Sequence, residues 1–207
     1  MGGSGKTIAK NAGVLMASQL VTWGLTLLLT LFLPRFLGPT AVGQFHFANS
    51  VWAIVAMVIA FGTDRYLVKE IARQVGRAEE LWGVTAVTQL LLYLFSFGGV
   101  AAYLSLAGYA AETVQVVLII GLGQLFWQWA STATAVLQGL EQMQYISLGS
   151  IAGKVFNTII AIALLLLGYG VQVIAAVTIG AALVNLLVLL VYLIFAMTLY
   201  LLPPQAQ

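Results

Sequence analysis

Eight of the fourteen charged residues of this chain fall between Asp64 and Glu80, and long apolar runs lie on both sides of that window. A chain divided in this way cannot hide its apolar surface by folding on itself in water. Of its 207 residues 62% are apolar and 7% charged, with a mean hydropathy of +1.05, whereas soluble domains carry about 25% charged residues. The solvent for most of the chain is therefore a bilayer, and its work has to be done there.

A membrane-crossing helix needs about 20 mostly apolar residues. The sequence offers six such segments, at about 8–33, 41–63, 81–107, 113–138, 145–168 and 172–200. Runs such as 27–33 and 161–167 do not alternate apolar with polar residues, as barrel strands would. The expected fold is an all-α integral membrane protein, a six-transmembrane-helix bundle forming one domain over 1–207. The first segment is too long for a signal-peptide core and no cleavage site follows it, so it is expected to be retained.

Basic residues orient the bundle. With the N-terminus inside, Lys6, Lys10, Arg65, Lys69, Arg73 and Arg77 fall on the cytoplasmic side, Arg35 falls outside and Lys154 lies within a span. Six against one is the bias expected of inward-facing loops. Both termini are then cytoplasmic, and Pro203-Pro204 would end the last helix. Within the 64–80 window, Leu67, Val68, Ile71, Val75 and Ala78 recur at helical spacing, and Arg65, Lys69, Arg73 and Arg77 recur every fourth residue. That pattern predicts a cytoplasmic amphipathic helix lying on the membrane surface, with a basic ridge near anionic head groups.

Several chemical functions fail on composition. Gly2-Gly3-Ser4-Gly5-Lys6-Thr7 imitates a phosphate-binding loop but lacks its leading glycine and the strand that would aim it. N-myristoylation fails because Lys6 stands at the Ser/Thr position. An aspartyl dyad needs two aspartates, and Asp64 is the only one; a zinc site needs several ligands, yet His46 is the sole histidine and cysteine is absent. A serine nucleophile would need His46 as base and a third orienting group. The chain is expected to be no enzyme, with no metal and no resident cofactor. Gly149-x-x-x-Gly153 marks a close helix approach, inside the bundle or between two copies.

The informative residues are polar ones at helical spacing inside apolar spans. One face of span five carries Ser147, Ser150, Lys154, Asn157 and Thr158; span one carries Gln19, Thr22, Thr26 and Thr30. Span two offers His46, Asn49 and Ser50, span four Gln124, Gln128, Ser131 and Gln138, and span three Thr85, Gln89 and Ser96. Unpaired polar groups in hydrocarbon are costly, so these stripes are expected to converge on a shared interior. Lys154 sits about 13 Å into its span at 1.5 Å per residue. A lysine at that depth costs about 2.5–3.5 kcal/mol, and no carboxylate is expected beside it. Two readings stand: it lines a cavity and meets an anion, or it snorkels along Ser150 and Ser147. Trp23, Trp52, Trp127 and Trp129 fall near span centres, away from the interfacial belt, either as packing or as flat faces lining a cavity.

The run Leu33-Pro34-Arg35-Phe36-Leu37-Gly38-Pro39, with Gly43-Gln44-Phe45 and Ala48-Asn49-Ser50 after it, resembles the first hairpin of polysaccharide-exporting flippases. Phe61-Gly62 followed by Tyr66-Leu67-Val68-Lys69-Glu70-Ile71-Ala72-Arg73 is similar to their basic loop after helix two. Leu137-Gln138-Gly139-Leu140-Glu141, leading to Tyr145 and Lys154, resembles their turn between helices four and five. These belong to the multidrug/oligosaccharidyl-lipid/polysaccharide (MOP) exporter superfamily.

The resemblance implies a flippase moving undecaprenyl-pyrophosphate-linked oligosaccharide across a bacterial or archaeal plasma (inner) membrane. Two six-helix lobes would alternate the access of a central cavity, often coupled to H⁺ or Na⁺, with basic residues meeting the pyrophosphate. By position, Arg35 and Lys154 are the candidate anion contacts; Asn157, Gln128, Gln124, Asn49 and Gln19 are candidate polar contacts for the substrate. The superfamily has twelve to fourteen helices, so six resemble its N-terminal lobe, and a second lobe or a homodimer is the expected partner, with membrane lipid around it and no nucleic acid. A scaffold that kept the fold is the alternative, and a multidrug cation antiporter, which would want an acidic cavity, a weaker one.

Overall fold

The computed structural model describes residues 3–201 and is built from helices throughout. The helices are α1 (Gly3–Ala60), α2 (Thr63–Arg73), α3 (Ala78–Leu106), α4 (Ala111–Gly139), α5 (Met143–Leu166) and α6 (Val171–Leu201), with a 3₁₀ turn at Val75–Arg77 before α3. Pro203 and Pro204 lie outside the described residues.

Five helices are long and apolar enough to cross a membrane, and the first of these apolar stretches runs from Ala12 to Ala60. At 1.5 Å per residue those 49 residues would extend about 73 Å, more than twice a hydrocarbon core of about 30 Å. The helix does not run straight. Gly38, at φ 77° and ψ 169°, breaks it, and Thr26 and Thr30 before the break share a cavity with His46 and Asn49 after it. α1 is therefore two limbs folded back on each other, and counted by limbs the bundle has six apolar crossings. The expected connection across 34–40 shrinks to this one glycine. Pro34 stays inside the first limb, and Pro39 opens the second, where its fixed φ and missing N–H suit a helix start.

Gly38 lies on the same face of the bundle as the turns at Gly108 and Gly168, as shown by a shallow cavity shared by Leu37, Gln44, Glu112 and Gly168. α3 and α5 end alike: Tyr109 N–H donates to Leu104 O and Tyr169 N–H to Leu164 O, across Gly108 (φ 71°) and Gly168 (φ 82°). This is the six-to-one closure that needs a left-handed residue. On the opposite, basic face, Gln142 N–H closes α4 onto Leu137 O in the same way, but the left-handed position is held by Glu141, at φ 59°.

The window 64–80 is helical over Thr63–Arg73, with Leu67 and Ile71 buried and Arg65, Lys69 and Arg73 exposed. The expected surface-lying orientation needs correction. α2 runs alongside the end of α4: Ser131 Oγ donates to Asp64 Oδ2 at 2.8 Å, and at Gly139 an added Cβ would stand 3.0 Å from Ile71 Cβ. Its apolar face packs into protein, because Gly139 leaves room for it there. Arg77 pairs with Glu70 at 3.6 Å and Glu80 at 3.3 Å; the hydrogen bond to Glu80 holds its guanidinium above its ordinary pKa. Glu79 and Glu80 fall in the first turn of α3, which starts earlier than expected and where negative charge suits the helix dipole.

Small residues set the helix spacings. Added Cβ atoms at Gly149 and Gly153 would stand 2.8 Å from Leu189 Cγ and 2.9 Å from Ala181 O, so this pair packs α5 on α6 within the chain. Gly123 admits α6 at Ile179 in the same manner. Between the second limb, α3 and α4, Trp52 donates from Nε1 to Val117 O at 2.7 Å and Tyr93 Oη to Gly121 O at 3.0 Å.

Candidate functional site

Lys154 is the twelfth of the twenty-four residues of α5. It lines a cavity of about 340 Å³ bounded by both limbs of α1 and by α4, α5 and α6. Asn157, one turn on, lines it with Lys154; Thr26 and Thr30 come from the first limb, His46 and Asn49 from the second, Trp127 from α4 and Thr178 from α6. No aspartate or glutamate lines it.

The hydrogen-bonding state of these groups separates them into two sets. Thr26 and Thr30 donate to the carbonyls of Thr22 and Thr26, Thr178 to Ala175 O, and Asn49 Nδ2 to Phe45 O, so their donors are used within their own helices. Among the described residues, the side chains of Lys154, Asn157 and His46 make no hydrogen bond or ion pair; both ion pairs present belong to Arg77. The cavity therefore offers an ammonium, a carboxamide and an imidazole whose hydrogen-bonding capacity is not met by protein. A lysine near the middle of a membrane span costs about 2.5–3.5 kcal/mol, and a charge-assisted hydrogen bond to an anion returns about 1.5–3 kcal/mol. An anionic group is what this arrangement can hold. A volume of about 340 Å³ is at the small end of ligand pockets, about 300–1,000 Å³, so it suits a head group and not a glycan chain.

The other expected contacts lie elsewhere. Arg35 is exposed four residues after Leu31 on the first limb and lines neither this cavity nor the shallow one on the turn face. Gln19 is exposed and outside both. Gln124 is half-buried and Gln128 buried, and neither lines the Lys154 cavity. Beside Gln128 a polar pair joins α3 and α4: Thr132 Oγ1 lies 2.8 Å from Gln89 Oε1 and 3.1 Å from the backbone carbonyl of Gln128 in its own helix. Within span five, Thr158 turns to the first limb, 3.5 Å from Leu25 O, and Ser147 to Met143 O of its own helix. Among the tryptophans, Trp52 is core, Trp127 lines the cavity, Trp129 donates to Ala86 O, and Trp23 is exposed. Among the described residues no group of three metal-ligating side chains gathers.

The cavity is open on one side: Thr26, Thr30, His46 and Asn49 are all exposed. Residues 8–206 match the family model described as polysaccharide biosynthesis protein. Comparison with curated proteins and with solved structures returned no match. An all-helical membrane bundle matched over nearly its whole length by that model belongs to the polysaccharide biosynthesis protein family.

Proposed function

We propose that this chain is one lobe of a flippase that carries a lipid-linked oligosaccharide, of the undecaprenyl-pyrophosphate class, across the plasma membrane of a bacterium or archaeon by alternating access. The observation that carries this reading is the acid-free cavity around Lys154, whose ammonium lacks a protein partner at mid-helix. The ammonium and Asn157 would hold the pyrophosphate while the glycan occupies the space beyond, and no bond in the substrate is broken. Resident cofactors have no part in this, and coupling to H⁺ or Na⁺ belongs to the transport cycle. An antiporter of organic cations would want a carboxylate here, and the lining has none.

A second lobe, or a second copy of this chain, closes the open side of the cavity. The support is the exposure of Thr26, Thr30, His46 and Asn49 on one side: an imidazole facing lipid would be left without a partner. The basic face, with Arg65, Lys69 and Arg73 exposed, is cytoplasmic by the inward bias of basic loops.

The test is flipping of a fluorescent prenyl-pyrophosphate sugar in liposomes, with the second lobe supplied where needed. Lys154→Gln should lose most transport at unchanged protein abundance, and Lys154→Arg should keep part of it because charge and donors persist. Equal transport by wild type and Lys154→Gln would remove the reading.

A further inference from the structure

Among the described residues, His46 is the only other ionisable side chain lining the cavity besides Lys154. It is exposed to it, meets Phe45 edge-on at 6.2 Å between ring centroids, and neither ring nitrogen bonds to protein. Among the described residues, the elements around it bring no competing charge to the cavity. The first limb presents Thr26 and Thr30, α4 Trp127, α6 Thr178, and α5 Lys154 with Asn157. The two basic groups sit at different depths. His46 is eight residues past Gly38 and Lys154 fourteen residues before Gly168, about 12 Å and about 21 Å from the turn face at 1.5 Å per residue.

We propose that His46 is the second anion contact of this cavity, and that a proton taken up there lets the cavity hold the second phosphate of a diphosphate. The proposal rests on the reading of Lys154 given above and adds a residue and a pH dependence to it. Its physics is charge balance. A second cation beside the ammonium is opposed by like-charge repulsion when the cavity lacks an anion and favoured when a polyanion bridges the two. Imidazole is the side chain that changes charge between about pH 5 and 8. Anion binding and proton uptake at His46 are therefore reciprocal, and affinity rises as pH falls. Two cationic groups staggered along the helix axis suit an elongated diphosphate better than a single phosphate.

Binding of a prenyl diphosphate and of inorganic diphosphate to the purified full chain in nanodiscs tests this, at pH 5.5 and pH 8, for wild type, His46→Gln, His46→Lys and Lys154→Gln. Because the ligands themselves titrate, the quantity read is the ratio of wild type to His46→Gln at each pH. That ratio should be about tenfold larger at pH 5.5 than at pH 8, the equivalent of one charge-assisted hydrogen bond. At pH 8 His46→Lys should keep over His46→Gln the advantage that wild type shows at pH 5.5. An advantage confined to prenyl diphosphate, or one shared with inorganic diphosphate, supports the assignment with the lipid-linked or the free anion as ligand. If His46→Gln keeps the wild-type pH dependence while Lys154→Gln loses binding, His46 is no contact and the Lys154 reading survives. If Lys154→Gln binds like wild type, both fall.

Discussion

Replacing Gly121 with alanine should destabilise the bundle by an amount that can be worked out from its surroundings. A Cβ there would overlap Trp52 Cζ2 and stand 2.6 Å from Trp52 Cε2 and 3.0 Å from Phe97 Cε2. Trp52 is 1% exposed, and its Nε1–H donates to Val117 O at 2.7 Å, so the ring cannot withdraw and keep its bond. Tyr93 and Phe97 hold it from the α3 side, with centroids at 6.1 and 5.6 Å. Overpacking costs about 1–3 kcal/mol and a lost hydrogen bond about 0.5–1.5 kcal/mol, together about 2–4 kcal/mol. For a chain of this length that is a fall of about 5–15 °C in Tm. Thermal unfolding in detergent reads it, with Gly98→Ala as control, since a Cβ at Gly98 meets nothing within 4 Å and gains helix propensity of up to about 1 kcal/mol. In a Trp52→Leu background the cost of Gly121→Ala should drop below about 1 kcal/mol. A Tm for Gly121→Ala equal to that of Gly98→Ala, or full additivity with Trp52→Leu, would refute the packing described.

Glu141→Gly should stabilise the chain by about 1 kcal/mol, because a side chain in the left-handed region costs about 1–2 kcal/mol that glycine does not incur; equal unfolding midpoints would contradict this. The chain has no cysteine, so single substitutions report topology directly. With a membrane-impermeant thiol reagent on intact cells, Gly170→Cys on the turn face should label and Gln74→Cys on the basic face should not, and the reverse pattern would invert the orientation proposed.

The apolar segments were legible because each is a long unbroken run, and the six-helix bundle follows from their number. The hairpin at Gly38 was less so: the segments expected over 8–33 and 41–63 left 34–40 as a connection, yet the first limb passes through Pro34 and only Gly38 leaves the helical region. Periodicity marked the amphipathic face of α2 but could not say whether Leu67 and Ile71 meet lipid or α4, since both surroundings are apolar. The polar stripes were legible in part: Thr26, Thr30, His46, Asn49, Lys154 and Asn157 do meet at one cavity, whereas Gln19, Gln124 and Gln128 lie outside it. Thr22, Thr26 and Thr30 return their hydroxyl protons to carbonyls three or four residues earlier in their own helix, so such residues need no polar neighbour and say little about where a helix faces. Side chains that cannot do this for all their polar atoms were better guides, as Lys154 and Asn157 show. Gln89 with Thr132 is a buried pair across α3 and α4 that no spacing within either helix would link. His46 was visible as the sole histidine, but its place beside Lys154 depends on the fold of α1 at Gly38.

A hydrated cavity that takes a lipid-linked anion should be reachable from water at Thr178. Thr178 lines the cavity from α6, whereas Leu187 on the same helix is 58% exposed on the apolar exterior. In reconstituted membranes, Thr178→Cys should react with a water-soluble thiol reagent, Leu187→Cys should not, and a prenyl-pyrophosphate sugar should slow the reaction of Thr178→Cys alone. Reaction at Thr178→Cys no faster than at Leu187→Cys would mean that the cavity is not hydrated, and reaction undiminished by that ligand would mean that the anion does not bind there.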